Sequence, residues 1–191
     1  PKGMPVLQQG AAQGFSDKEL LEKFLKPAAR LLFELEKAGT THRNLQPANL
    51  MWADESKMLM LFGESFCAAP GRLHPEAYEP WASSLAHPAA RGNGSIKDDM
   101  FSLGVTFLSL LTGKQFSQDA DAGSLRQARL ETGSYGALTQ NLRLSTAATD
   151  LLKGMLDDDP RCRWSPVELE LFLSGQKTPS RQHSSIRKGS R

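Results

Sequence analysis

Little of what usually betrays a protein's chemistry is present in this chain. Two cysteines, Cys67 and Cys162, stand among 191 residues. No C-x-x-C and no Cys/His pair at metal spacing occurs, which excludes a zinc module and leaves two reduced, buried thiols as the expectation. No apolar run reaches the roughly 18 residues of a membrane span and no signal peptide opens the sequence, so a cytoplasmic protein is expected. No G-x-G-x-x-G occurs; the nearest fragment is Gly92-Asn93-Gly94, and Gly113-Lys114-Gln115 is not a Walker motif. An excess of one charge is missing too. The net charge is +2, but residues 174–191 hold Lys177, Arg181, Arg187, Lys188 and Arg191 without an acid, which leaves the body at about −3. Specific nucleic-acid recognition is therefore not expected of the body. The basic tail can supply an electrostatic contact, but it has no interleaved aromatics for stacking on bases.

What remains is an ordinary soluble composition, 39% hydrophobic and 23% charged, with enough residues for one core. The chain starts at Pro1 and is read as a fragment of something longer. Residues 1–14, rich in Gly and Gln, read as a leading loop. Ser16 and Glu19 form a capping box, with Phe15 and Leu20 as its staple. Leu20, Leu21, Phe24, Leu25, Ala28, Leu31, Leu32 and Leu35 then recur at helical spacing up to Gly39, with a bend expected at Pro27. Apolar runs at 50–53 and 57–61 around Asp54-Glu55-Ser56 predict a small hairpin. Residues 62–94 read as mostly irregular, with a short helix at 76–87. Ser95 and Asp98 open a helix at 98–112 that is apolar almost all round and closes at Gly113, so it belongs inside the domain. Further helices are expected at 124–132, ending at Gly133, at 146–156, and after Ser165-Pro166 with Glu168 at N3. Residues 174–191 read as a basic disordered tail or linker.

Between the first helix and the hairpin lies THRNLQPANLMW. The order of motifs carries more than any one of them: a long helix, His-Arg followed six residues later by Asn49, a hairpin, Phe62-Gly63, Glu79-Pro80, Asp99 in Asp-x-Phe-Ser-Leu-Gly, and Arg163 in Asp-Pro-x-x-Arg. Over about residues 15–173 this resembles the C-terminal lobe of eukaryotic-like protein kinases. The fold class so implied is mainly α, a protein-kinase-like C-lobe with a small β-hairpin, and no N-lobe in this chain. The wording of residues 78–105 also resembles a group of bacterial kinase-like proteins that share Glu-Pro, Arg-Gly-x-Gly and Asp-Asp and lack the catalytic acids.

The resemblance implies roles residue by residue. His42-Arg43-Asn44 is similar to His-Arg-Asp, whose Asp is the catalytic base. Gln46 stands at the place of a Lys that steadies the transferred phosphoryl group. Asn49 matches a metal-binding Asn. Leu61-Phe62-Gly63 resembles Asp-Phe-Gly, whose Asp holds magnesium. Asp99 is implied to brace the catalytic-loop backbone, and Glu79 to pair with Arg163.

Three chemical positions depart from the pattern. Asn44 cannot take a proton, Leu61 offers magnesium no oxygen, and Gln46 has no positive charge. Since phosphoryl transfer rests on positioning and charge neutralisation, the reading is a pseudokinase, a C-lobe kept as a scaffold or protein-interaction module. No cofactor is expected; ATP and magnesium would need an N-lobe. The alternative is an atypical kinase whose metal ligands have moved to Glu64 and Asn49. The simpler expectations are that Glu64 is a solvated turn residue and that Asn49 bonds its own backbone. His42 is expected to be a packed core histidine. Arg43 is expected to meet backbone or a carboxylate. The only phosphate acceptors between Gly63 and Glu79 are Ser65 and Tyr78, and no phosphorylation switch is expected there. Trp81 is the candidate exposed anchor for a protein partner.

Overall fold

The computed structural model describes residues 4–7, 14–63, 74–116 and 122–176. Glu64, Ser65, Cys67 and the basic residues from Lys177 onward lie outside them. In chain order the elements are strand β1 (Met4–Pro5), helix α1 (Asp17–Leu20), a π-helical segment Leu21–Leu25, helix α2 (Lys26–Lys37), strands β2 (Leu50–Trp52) and β3 (Met60–Phe62), the single turn α3 (Trp81–Ser84), and helices α4 (Ile96–Thr112), α5 (Ala122–Thr139), α6 (Thr146–Met155) and α7 (Pro166–Leu173). The architecture is mainly helical with one small antiparallel sheet.

Local chemistry sets most of the boundaries. The Ser16 hydroxyl donates to the Glu19 carboxylate at 2.8 Å, and the Ser16 and Glu19 backbone N–H groups bond reciprocally to the two side chains. Ser165 and Glu168 repeat the box at α7. At α4 the Asp98 carboxylate accepts from the Ser95 N–H at 2.8 Å. Helix α2 ends in a Schellman motif: Thr40 N–H donates to the Leu35 carbonyl and Gly39 N–H to that of Glu36.

The expected bend at Pro27 takes a definite form. The π segment lies one turn before it, and the Lys26 N–H reaches back to the Leu21 carbonyl. Pro27 has no N–H and its ring would crowd the carbonyl of Lys23 in a regular helix; the wider turn absorbs that conflict. Helix α5 runs past the expected stop but breaks there, with Gly133 at φ 72° and ψ 170°. Asp158 caps the second half by accepting from the Ser134 N–H at 2.8 Å.

The leading loop needs correction. Met4 and Pro5 pair antiparallel with Trp52 and Met51, so the sheet has three strands in the order β1-β2-β3. Val6 and Leu7 enter the core. At its other end this segment crosses α4 so closely that a Cβ on Gly14 would sit 1.9 Å from the Leu111 carbonyl oxygen.

Helix α4 is the axis of the domain. Every residue from Asp99 to Leu110 is buried. Its hydroxyls are turned into tethers: Ser102 reaches the Tyr78 carbonyl at 2.8 Å, Thr106 the Leu45 carbonyl at 2.9 Å, and Ser109 the Tyr78 hydroxyl at 3.0 Å. One buried helix thus fixes both the loop after α2 and the segment before α3. The guanidinium groups of Arg129, from α5, and Arg163 lie 5.4 and 5.3 Å from the Phe101 ring on the same helix. Among the described residues, no helix is long and apolar enough to cross a membrane.

Candidate functional site

The loop His42–Asn49 passes over the N-terminal end of α4, and Asp99 holds it there. Its carboxylate accepts from the backbone N–H of His42 at 2.7 Å and of Arg43 at 2.8 Å. This is the bracing role that the resemblance implies. Burial pushes the Asp99 carboxyl up to about 6, against the pull of those two N–H groups and the Arg43 charge. Arg43 itself takes a left-handed backbone, φ 54°, which two acceptor bonds make tolerable.

His42 is buried against Phe62, with ring centroids 5.4 Å apart. Burial lowers its imidazole to about 4, with a smaller push from His74, so it is neutral at ordinary pH. Its Nδ1 accepts from the Asn44 N–H at 3.3 Å. That is a packed histidine shaping a turn.

The polar residues of the loop face one another. Gln46 donates from Nε2 to Asn44 Oδ1 at 2.8 Å, and Asn49 donates from Nδ2 to the Asn44 carbonyl at 3.1 Å. The Asn49 carbonyl in turn accepts from the Gly63 N–H at 2.7 Å. The Asn49 side chain thus bonds the backbone of its own loop, five residues back. Leu61 lies on β3 opposite Met51 and is 48% exposed; Phe62 next to it packs on Phe24 at 5.9 Å. The loop, the hairpin and Phe62-Gly63 are brought together as the motif order implies, but with amides and an alkyl group at the positions of the acids. Among the described residues, no group of three His, Cys, Asp or Glu could hold a metal, and Glu64 lies outside them.

The implied pair Glu79–Arg163 does not form. Glu79 is fully buried and turns to the loop: its Oε2 accepts from Arg43 Nη2 at 2.8 Å, and its Oε1 lies 2.9 Å from His74 Nδ1. Burial alone would raise the Glu79 carboxyl, but the His74 bond and the Arg43 charge outweigh it and hold it below its usual value. Arg163 instead meets the Asp98 carboxylate at 3.5 Å and donates to the carbonyls of Asp157 and Lys97 at 2.8 and 2.9 Å. Arg43 and His74 already take the two oxygens of the Glu79 carboxylate. Arg129 occupies the backbone side of Glu79, donating to the carbonyls of Glu79 at 3.1 Å and Ala77 at 3.0 Å.

Two residues of this network, His74 and Arg129, carry no motif in the sequence, and Arg91 stands there only as the first residue of the Arg-Gly-x-Gly wording, with no partner implied. His74 bridges Glu79 and the Leu45 carbonyl, 3.2 Å away. Arg91 donates to the His74 carbonyl at 2.9 Å and lies 3.9 Å from Glu79. An arginine beside a Gly-rich turn reads as solvated until its distant partners are known. Trp81 is half-buried at the start of α3 rather than held out on an irregular segment. Tyr78 is 1% exposed, and burial pushes its hydroxyl up to about 12 despite the bond to Ser109.

Comparison with known proteins agrees with this geometry. No family model matches the chain. It is 27% identical over 173 residues to the serine/threonine-protein kinase cds1 of Schizosaccharomyces pombe, covering 82% of this chain and 36% of that protein. It is 25% identical over 188 residues to calcium-dependent protein kinase 7 of Arabidopsis thaliana, over 94% of this chain and 35% of that kinase. With calcium-dependent protein kinase 20 of Oryza sativa subsp. japonica it shares 32% over 133 residues, 66% of this chain and 24% of the other. The chain therefore spans no more than about a third of the curated relatives it matches. In three dimensions it is similar to the crystal structure of Rad53 1–466 in complex with AMP-PNP, with a TM-score of 0.62 and 19% identity over 87% of this chain and 43% of that one.

Proposed function

Given a protein-kinase-like fold with the architecture of the C-terminal lobe, we propose that this chain is a pseudokinase module: it keeps the kinase scaffold for protein interaction and contributes little or no phosphoryl transfer. The observation that carries the reading is the mutual bonding of Asn44, Gln46 and Asn49 beside an exposed Leu61. A general base contributes about 10²–10⁴ in rate, and Asn44 cannot be one. A magnesium ion is held by oxygens, and Leu61 has none. Asn49, the remaining match, donates its Nδ2 to the Asn44 carbonyl and would offer magnesium only one neutral amide oxygen, with no carboxylate beside it at position 61.

Transfer of labelled phosphate from ATP to a generic Ser/Thr substrate tests the reading. The wild-type protein is expected to show no more transfer than Asn44→Ala. Transfer that falls on substitution of Glu64 would instead favour an atypical kinase with relocated ligands.

A further inference from the structure

Four basic side chains from separate stretches converge on Glu79. Arg43 comes from the loop, His74 from five residues upstream, Arg91 from the turn before α4, and Arg129 from α5. Arg43 is buried to 1% exposure, and among the described residues its Nε and Nη1 have no hydrogen-bond partner. Glu79 is its ion-pair partner, so loss of that carboxylate would strand a buried guanidinium charge, which is strongly unfavourable.

We infer that Glu79 serves as a built-in substitute for a regulatory phosphate, a permanent anion that keeps residues 74–91 docked on the catalytic loop without any modification. The inference rests on the kinase-like reading of the loop but not on the loss of catalysis. In kinases that respond to activation-loop phosphorylation, an added phosphate orders the segment through new arginine pairs. Here the arginine of the His-Arg motif is already occupied. Glu79 divides its oxygens between Arg43 and His74, and Arg91 and Arg129 then bond the carbonyls of His74, Ala77 and Glu79. The one hydroxyl acceptor between His74 and Pro80 is Tyr78, whose oxygen is sealed against Ser109. An incoming kinase cannot reach it in the docked segment.

Hydrogen exchange on the purified full chain tests this, comparing residues 74–91 with α4. Wild-type protein before and after phosphatase treatment is expected to exchange identically. Glu79→Gln is expected to raise exchange across 74–91 at least tenfold while α4 stays protected. Arg43→Gln should give the same pattern, and the double variant should be no worse than either single one. Three results would overturn the proposal: phosphatase treatment that loosens 74–91 in the wild type, unchanged exchange in Glu79→Gln, or loss of protection in 74–91 and α4 together, which would make Glu79 a general core ion. Detecting phosphoryl transfer would defeat the pseudokinase reading and leave these exchange results untouched.

Discussion

Two sides of one loop follow different rules. On the inner side, His42, Arg43, Glu79 and Asp99 are buried and hold one another by charged groups at 2.7–2.8 Å. On the outer side, Asn44, Gln46, Asn49 and Leu61 are half-buried or exposed and neutral. The inner side keeps the carboxylates that fold the loop. The outer side has amides and an alkyl chain where a kinase needs a base, a cation and a metal ligand. Stability and chemistry ask different things of a kinase-like loop, and the buried carboxylates of the inner side answer the first of them.

The sharpest way to break that contrast is Asp99→Ala. It leaves two buried backbone donors without a partner, at about 1–3 kcal/mol each, so a loss of roughly 3 kcal/mol or more is expected in denaturant unfolding. A loss under about 1 kcal/mol would mean that the inner side does not hold the fold. Gly94→Ala comes next. Gly94 has φ +60°, and a Cβ there would stand 2.8 Å from Arg43 Nε and 2.9 Å from Asp98 Oδ2. Backbone strain and crowding together predict about 1–3 kcal/mol by the same measurement. It would also give a physical reason for the Arg-Gly-x-Gly wording: the second glycine lies on the buried guanidinium.

A pH series sharpens the inner side further. The folded pKa of His42, about 4, is below its ordinary 6.5, so its contribution is present above 6.5 and is lost as pH falls toward 4. The destabilisation caused by His42→Asn should therefore be largest near pH 7 and shrink toward pH 4. Asp99 works in the opposite sense. Its folded pKa, about 6, is above the ordinary 3.8, so its contribution is full below 3.8 and lost as pH rises through 6. Wild-type stability is expected to vary little from these two groups between pH 4 and 6, whereas His42→Asn should become less stable over that range as Asp99 ionises. The smallest effect is on the outer side. Leu61→Asp, at a half-exposed position, should change stability by no more than about 0.5 kcal/mol; a larger loss would mean that Leu61 is structural.

How much of this the sequence discloses depends on range. Ser16 and Glu19 or Ser165 and Glu168 stand three residues apart, and their chemistry can be read directly. Gly39, Gly113 and Gly133 mark real breaks for the same reason. The order of the motifs points to the loop 42–49 and to Asp99, whose carboxylate accepts from the His42 and Arg43 N–H groups. It does not give the partner of Glu79. Arg43 is 36 residues away, and Arg163, Arg91 and Arg129 are equally plausible on paper; only packing around Phe101 and α4 decides among them. Strand β1 escaped for a similar reason. A two-residue strand has no periodicity, and Met4–Pro5 is extended only because β2 offers an edge.

The central claim is that the outer side cannot hold a metal–nucleotide complex. It is tested most directly by thermal unfolding of the longest natural form of the protein at saturating ATP, with and without magnesium. Anything that binds only the folded state raises the melting temperature. The account predicts no magnesium-dependent rise. A rise that requires magnesium, and that disappears on substitution of Asn49 or Glu64, would contradict it.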